Sequence, residues 1–87
     1  MNKHWGEISF LLSSKNRKKV IFSLDKPKIP TELASSLGLN LSHVSRALTE
    51  LSKKKLVECL TPNQKMGKLY SKTKLGNTVV SYLRKRS

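Results

Sequence analysis

Apolar residues recur along this chain mostly at intervals of three and four, the repeat of one buried face on an α-helix. The clearest run is Val44, Ala47, Leu48 and Leu51, at i, i+3, i+4 and i+7, and Asn40 stands where an N-cap belongs. Just before it, Pro30 suits the first position of a helix carrying Leu33, Ala34 and Leu37, and Gly38 stands where that helix needs a left-handed residue to end. Farther upstream, Ser13 and Ser14 are placed to cap a helix with Val20, Ile21 and Leu24 on its apolar side. Trp5 to Leu12 reads as a short apolar segment with Ile8, Leu11 and Leu12 at helical spacing. Beyond Leu51 the period changes to two. Leu56 to Leu60 predicts a strand with Val57 and Cys59 on one side and Glu58 on the other, and Lys68 to Lys72 predicts its return partner. Thr61 to Gly67, with Pro62 and Asn63, is the turn between them. Thr73 is placed to cap a last helix with Leu75, Val79, Tyr82 and Leu83 on its apolar side.

Two short helices joined through a glycine turn, then a hairpin, is the element order of a winged helix-turn-helix. The expected fold is therefore α+β and mostly α: a three-helix core, a two-stranded β-wing and terminal helices. A chain of 87 residues allows one domain. It divides into an N-terminal extension (1–13), a helix-turn-helix (29–52), a wing (56–72) and a C-terminal helix (73–85). Ala34 is small where the two central helices cross. Leu33, Leu37, Val44 and Leu48 hold the pair together, so the second helix becomes a rigid probe.

Charge sharpens this picture. Eighteen Lys and Arg against five Asp and Glu give a net charge of +13, and such a surface seeks a polyanion. The bases cluster at Lys15 to Lys19, at Lys53 to Lys55 and at Arg84 to Arg86, while from Ile29 to Ser52 Arg46 is the only Lys or Arg. Basic groups thus rim a nearly neutral, apolar-patterned centre, unlike a disordered basic tail. No apolar run approaches the roughly 20 residues of a membrane span, and none has the form of a signal peptide. The single cysteine, Cys59, excludes an internal disulfide and fits a reducing compartment. The expected location is the cytoplasm, in association with the nucleoid.

At about 100° per residue, the Val44 stripe leaves Ser42, Arg46, Thr49 and Lys53 on the opposite face, with His43 and Ser45 on its flanks. An arginine in the middle of such a face can grip guanine O6 and N7 with its planar fork, and hydroxyls bond several base edges. A probe of this kind fits the major groove of duplex DNA, its N-terminal residues nearest the bases.

At these residues the chain resembles a known family. Pro30-Thr-Glu-Leu-Ala-Ser-Ser-Leu-Gly-Leu-Asn-Leu-Ser-His-Val-Ser-Arg-Ala-Leu-Thr-Glu-Leu51, continuing through Lys54-Lys-Leu-Val-Glu58, is similar to the core of winged-helix transcriptional regulators of the ArsR and MarR type, and most of all to the short single-domain versions common in archaea. Tyr70-Ser-Lys-Thr-Lys-Leu-Gly76 is similar to the passage from wing to last helix in those proteins, although Lys72 stands where the family usually has an apolar residue. The resemblance covers roughly Ser14 to Leu83. It implies recognition-helix contacts at Ser42, His43, Ser45, Arg46 and Thr49, with Lys53 on the same face, and wing contacts at Asn63, Gln64, Lys65 and Lys68 in the minor groove or on phosphate. Lys15, Arg17, Lys54 and Lys55 then fall where phosphates pass. It further implies a homodimer through the terminal helices, with half-sites about one helical turn apart.

Other chemistries have less behind them. Five scattered acids offer no carboxylate pair, the Ser and His residues have no acidic partner in hydrolase order, and there is no Gly-rich phosphate loop, so no catalytic residue is expected. His43 has no other His or Cys at ligand spacing, so neither a metal nor another cofactor is expected; His43 is read as a groove contact or plain surface. Cys59 shares a strand face with Val57 and is read as core rather than as a redox switch. Trp5 and Phe10 are expected to pack within the domain or across a dimer rather than to stack on bases. Lys53 to Lys55 is either a solvated helix end or a phosphate contact. The same fold would also serve a DNA-coating protein without sequence choice, for which the charge suits, or a protein-interaction module. RNA binding has no exposed aromatic pair to support it. Operator, regulated gene, sign of regulation and effector are not written in the sequence.

Overall fold

The computed structural model describes residues 4–86, and side chains through residue 85. Residues 1–3 of the expected extension and the Arg86 side chain of the last basic cluster therefore lie outside the described part. Within it the order is α1 (Trp5–Leu12), α2 (Lys15–Phe22), α3 (Pro30–Leu37), α4 (Leu41–Lys53), β1 (Val57–Cys59), β2 (Tyr70–Lys72) and α5 (Lys74–Arg86).

Local chemistry sets most of these boundaries. The Ser14 hydroxyl accepts from the Arg17 N–H at 3.3 Å and opens α2. Pro30 sits in the first turn of α3, and Gly38 closes that helix at φ +66°. Asn40 has the extended backbone of an N-cap, yet its side chain makes no capping bond to α4. Lys55, with φ +63°, takes the left-handed position after α4 that glycine or asparagine usually fills, and the Leu56 N–H donates to the Leu51 carbonyl at 3.0 Å across it.

The core gathers one face from nearly every element. Ile8 and Leu11 of α1, Val20 and Ile21 of α2, Leu24, Leu33, the Val44–Ala47–Leu48–Leu51 stripe, Leu56, Val57, Val79 and Val80 are all buried. Each such large side chain contributes about 1.5–3 kcal/mol on leaving water, so the stripe fixes α4 against α2 and α3. Leu12 departs from expectation: it is 54% exposed, because only Ile8 and Leu11 of α1 turn toward the core. Cys59 departs as well. It is half-buried, since the antiparallel pair β1–β2 joins only Val57 to Lys72, Glu58 to Ser71 and Cys59 to Tyr70, and Cys59 ends the strand beyond the core edge.

Both strands are shorter than the sequence pattern predicts, and a third segment joins them. The Lys28 N–H donates to the Tyr70 carbonyl at 3.0 Å and the Tyr70 N–H to the Lys28 carbonyl at 2.9 Å, one rung of sheet between two prolines. The wing's base is then clamped to α5. The Thr73 hydroxyl donates to the Lys55 carbonyl at 2.6 Å and accepts from the Gly76 N–H at 3.0 Å. Gly76 lies so close to the Leu56 carbonyl that an added Cβ would run into that oxygen.

Candidate nucleic-acid interface

The reading face of α4 is built by opposition. Because Val44, Ala47, Leu48 and Leu51 turn inward, Ser42, His43, Ser45, Arg46 and Thr49 are exposed, and Lys53 is exposed at the helix end. The Thr49 hydroxyl donates to the Ser45 carbonyl at 3.0 Å, so its proton is already used and its oxygen is left as an acceptor. The other side chains of this face point to solvent, those of the first turn at the positive end of the helix.

Two clefts flank this face. On one side, about 390 Å³ opens between α4 and the α1–α2 corner, lined by His43, Arg46 and Glu50 together with Ser13, Asn16 and Arg17. On the other, about 510 Å³ separates α4 from the wing, lined by Leu41, Ser45, Lys65, Met66, Lys68 and Tyr70 among others. The helix therefore stands proud between a polar slot and the wing, and Lys65 and Lys68 share a cleft with Ser45.

Arg17 is held inside the molecule. Its Nε donates to Glu50 Oε1 at 3.0 Å, one Nη donates to the Phe10 carbonyl at 2.8 Å and to Ser13 Oγ at 3.0 Å, and its guanidinium lies 4.0 Å from the Phe10 ring centre. Only 19% of the side chain is exposed. Lys15, Lys54 and Lys55 are exposed, and the Lys54 ammonium stands 5.5 Å from the same ring. Phe10 thus packs within the domain. In the wing, Asn63, Gln64 and Lys65 are exposed and Lys68 is half-buried, and the exposed Gln64 side-chain amide donates to the Met66 carbonyl at 3.3 Å.

Two exposed apolar residues beside this face are not singled out by the sequence pattern: Leu41 at 47% and Met66 at 84% exposure. Leu41 extends the repeat three positions before Val44 but stands in the first turn of α4, past the core's edge, and Met66 lies in a turn outside any repeat. Burial pushes the Tyr70 phenol above its ordinary range, with a smaller push from the Cys59 thiol opposite, so Tyr70 is a neutral wall of the second cleft.

A separate apolar groove of about 390 Å³ lies between α1, α2 and α5, lined by Trp5, Ile8, Leu12, Phe22, Tyr82 and Leu83 with Lys18 at its edge. Trp5 is 63% exposed there. Among the described residues no group of His, Cys, Asp and Glu can hold a metal ion, and no helix is long and apolar enough to cross a membrane.

Solved structures share this arrangement. A mutant MarR from E. coli complexed with operator DNA superposes with a TM-score of 0.75 and 30% identity over 90% of this chain. The fold is that of the MarR-family winged-helix regulators. The reduced form of the transcriptional regulator YodB from B. subtilis has a TM-score of 0.80 at 20% identity, covering 99% of this chain and 87% of its own. The MarR family transcription regulator SP03579 gives 0.77 at 20% identity over 91% of this chain. The chain spans 58% of the E. coli MarR chain and 54% of the SP03579 chain. No model of a protein family matches the sequence, and no curated protein does either. These neighbours of MarR type are transcription regulators, not enzymes.

Proposed function

We propose that the protein binds double-stranded DNA sequence-selectively and regulates transcription, with α4 in the major groove and the wing on the adjacent minor groove. One observation carries this: a fully buried stripe on α4 backs an exposed face centred on Arg46, with basic side chains on both sides. Arg46 reads guanine, Ser42, His43, Ser45 and Thr49 contact neighbouring base edges or phosphates, and Lys53 follows the backbone. Asn63, Gln64, Lys65 and Lys68 ride the wing side. Lys15, Lys54 and Lys55 neutralise phosphates, and Arg17 acts indirectly by holding α4. The operator DNA in the E. coli MarR complex supports the same use of this fold.

The chain works as a homodimer on nucleoid DNA in the cytoplasm. The groove containing Trp5 and Leu12 is the surface on which a second copy seats, and sedimentation equilibrium tests it: Trp5→Glu is expected to give monomers. Selection of bound duplexes from a random pool is expected to return an inverted repeat, and absence of any consensus overturns sequence-selective binding. Arg46→Ala is expected to cost about 1–3 kcal/mol on the selected site and to relax one base position.

The charge of +13 favours one other use, coating of any duplex. A salt series separates the two: selective binding keeps an advantage of at least ~10³ over bulk DNA, and non-selective binding shows none.

A further inference from the structure

The wing loop is built around one side chain. Its stem closes with the Leu60 N–H on the Leu69 carbonyl at 2.7 Å, and the Thr61 hydroxyl accepts from the Leu69 N–H at 3.0 Å. The Gln64 backbone N–H donates back to the Thr61 carbonyl at 3.1 Å and its side-chain amide grips the Met66 carbonyl at 3.3 Å. Gly67 follows at φ +65°. These bonds fold the tip onto itself and push out Met66, which at 84% has the greatest exposure of the large apolar side chains described. A solvated turn has no use for such a side chain, and although Met66 lines the rim of the Leu41–Tyr70 cleft, that contact leaves it 84% exposed.

The neighbours of Met66 indicate what covers it. Between Leu60 and Tyr70 there is no arginine and no acid, and the only charges are Lys65 and Lys68. An apolar tip between two cations matches the minor groove of a duplex, whose walls are phosphate and whose floor is base edges. Methionine is long, unbranched and polarisable, fits irregular gaps, and is among the apolar side chains that wedge between base steps.

We propose that Met66 is the wing's minor-groove residue: an apolar wedge pressed against or partly between base pairs while Lys65 and Lys68 hold the rims. The wedge selects for ease of deformation rather than for a hydrogen-bond pattern, so flexible pyrimidine–purine steps such as TA are favoured under the wing. This rests on the DNA-binding function proposed above.

The test uses the full chain and its selected duplex, with the base step under the wing set to TA or to the stiffer AA. Met66→Ala and Met66→Gln leave the fold intact, because the side chain touches little, and circular dichroism checks this. Both are expected to weaken binding to the TA duplex about tenfold, to erase the preference for TA over AA, and to leave the salt slope unchanged because no charge is lost. Arg46→Ala is expected to weaken both duplexes equally and keep the TA preference. If Met66→Ala keeps both affinity and step preference while Arg46→Ala weakens binding, the wedge is wrong and the DNA-binding function stands. If the wild-type chain binds no duplex selectively, both fall.

Discussion

Arg17 of α2 donates from Nε to Glu50 of α4 at 3.0 Å, across 33 positions of sequence. Because the same guanidinium also bonds the Phe10 carbonyl and Ser13 Oγ and covers the Phe10 ring, three helices meet at one planar group. An exposed ion pair alone is worth about 0–1 kcal/mol; here the fork, the ring and partial burial add to it. Arg17→Ala is expected to lower stability by about 1–2 kcal/mol, a fall of roughly 5–15 °C in Tm by calorimetry. Arg17→Lys keeps the charge but not the fork, and is expected to recover less than half of that.

Lys55 occupies a left-handed backbone position at φ +63°, a conformation that costs a side-chain-bearing residue about 1 kcal/mol and glycine almost nothing. Lys55→Gly is expected to raise stability by about 0.5–1 kcal/mol in urea titration. The same substitution is expected to reduce the slope of log affinity against log salt by about one unit, through loss of one phosphate contact. Stability and binding moving in opposite directions is the signature; an unchanged salt slope removes Lys55 from the interface.

Gly76 lets α5 rest on the Leu56 backbone, where even a methyl group meets the carbonyl oxygen. Gly76→Ala is expected to cost about 2–3 kcal/mol despite the better helix propensity of alanine. Asn77→Ala, one exposed position along, is the control and is expected to change stability by less than about 0.5 kcal/mol.

Burial, and secondarily the nearby Arg84 guanidinium, hold the Lys72 ammonium below its usual range, with Asp25 pulling the other way. The folded form therefore binds the proton less tightly than the unfolded chain, and the cost is fully present at neutral pH. It is relieved as pH rises from the lowered folded value toward the unfolded value of about 10.4. Lys72→Met is expected to raise Tm by about 2–4 °C at pH 7. That gap is expected to narrow in melts toward pH 10; a constant gap shows that packing alone is responsible.

Features set by near neighbours are legible in the order of residues. Ser14, Pro30 and Gly38 act within four residues of themselves, as does Thr73 in accepting from the Gly76 N–H, and the Val44–Leu51 stripe needs only the helical repeat, so helices and reading face follow from the sequence. Features set by distant partners are not. The Lys28–Tyr70 rung lies between prolines that read as a break. Arg17 reads as one more surface cation until Glu50 is brought beside it. The bond from the Gln64 amide to the Met66 carbonyl, which shapes the wing tip, is likewise invisible in the sequence. Cys59 and Leu12 fit their apolar repeats and yet lie past the core's edge, because period tells which way a residue points and not how far the interior extends.

The backbone contact between Gly76 and Leu56 has a mechanical consequence. It welds the start of α5 to the segment leaving α4, with Thr73 as a second rivet. In a pair of copies joined through their last helices, the separation of the two Arg46 side chains is then fixed by main chain against main chain. Such a dimer is a caliper with a stiff frame, intolerant of one inserted base pair between half-sites, and any signal that retunes it must act at the joint between copies.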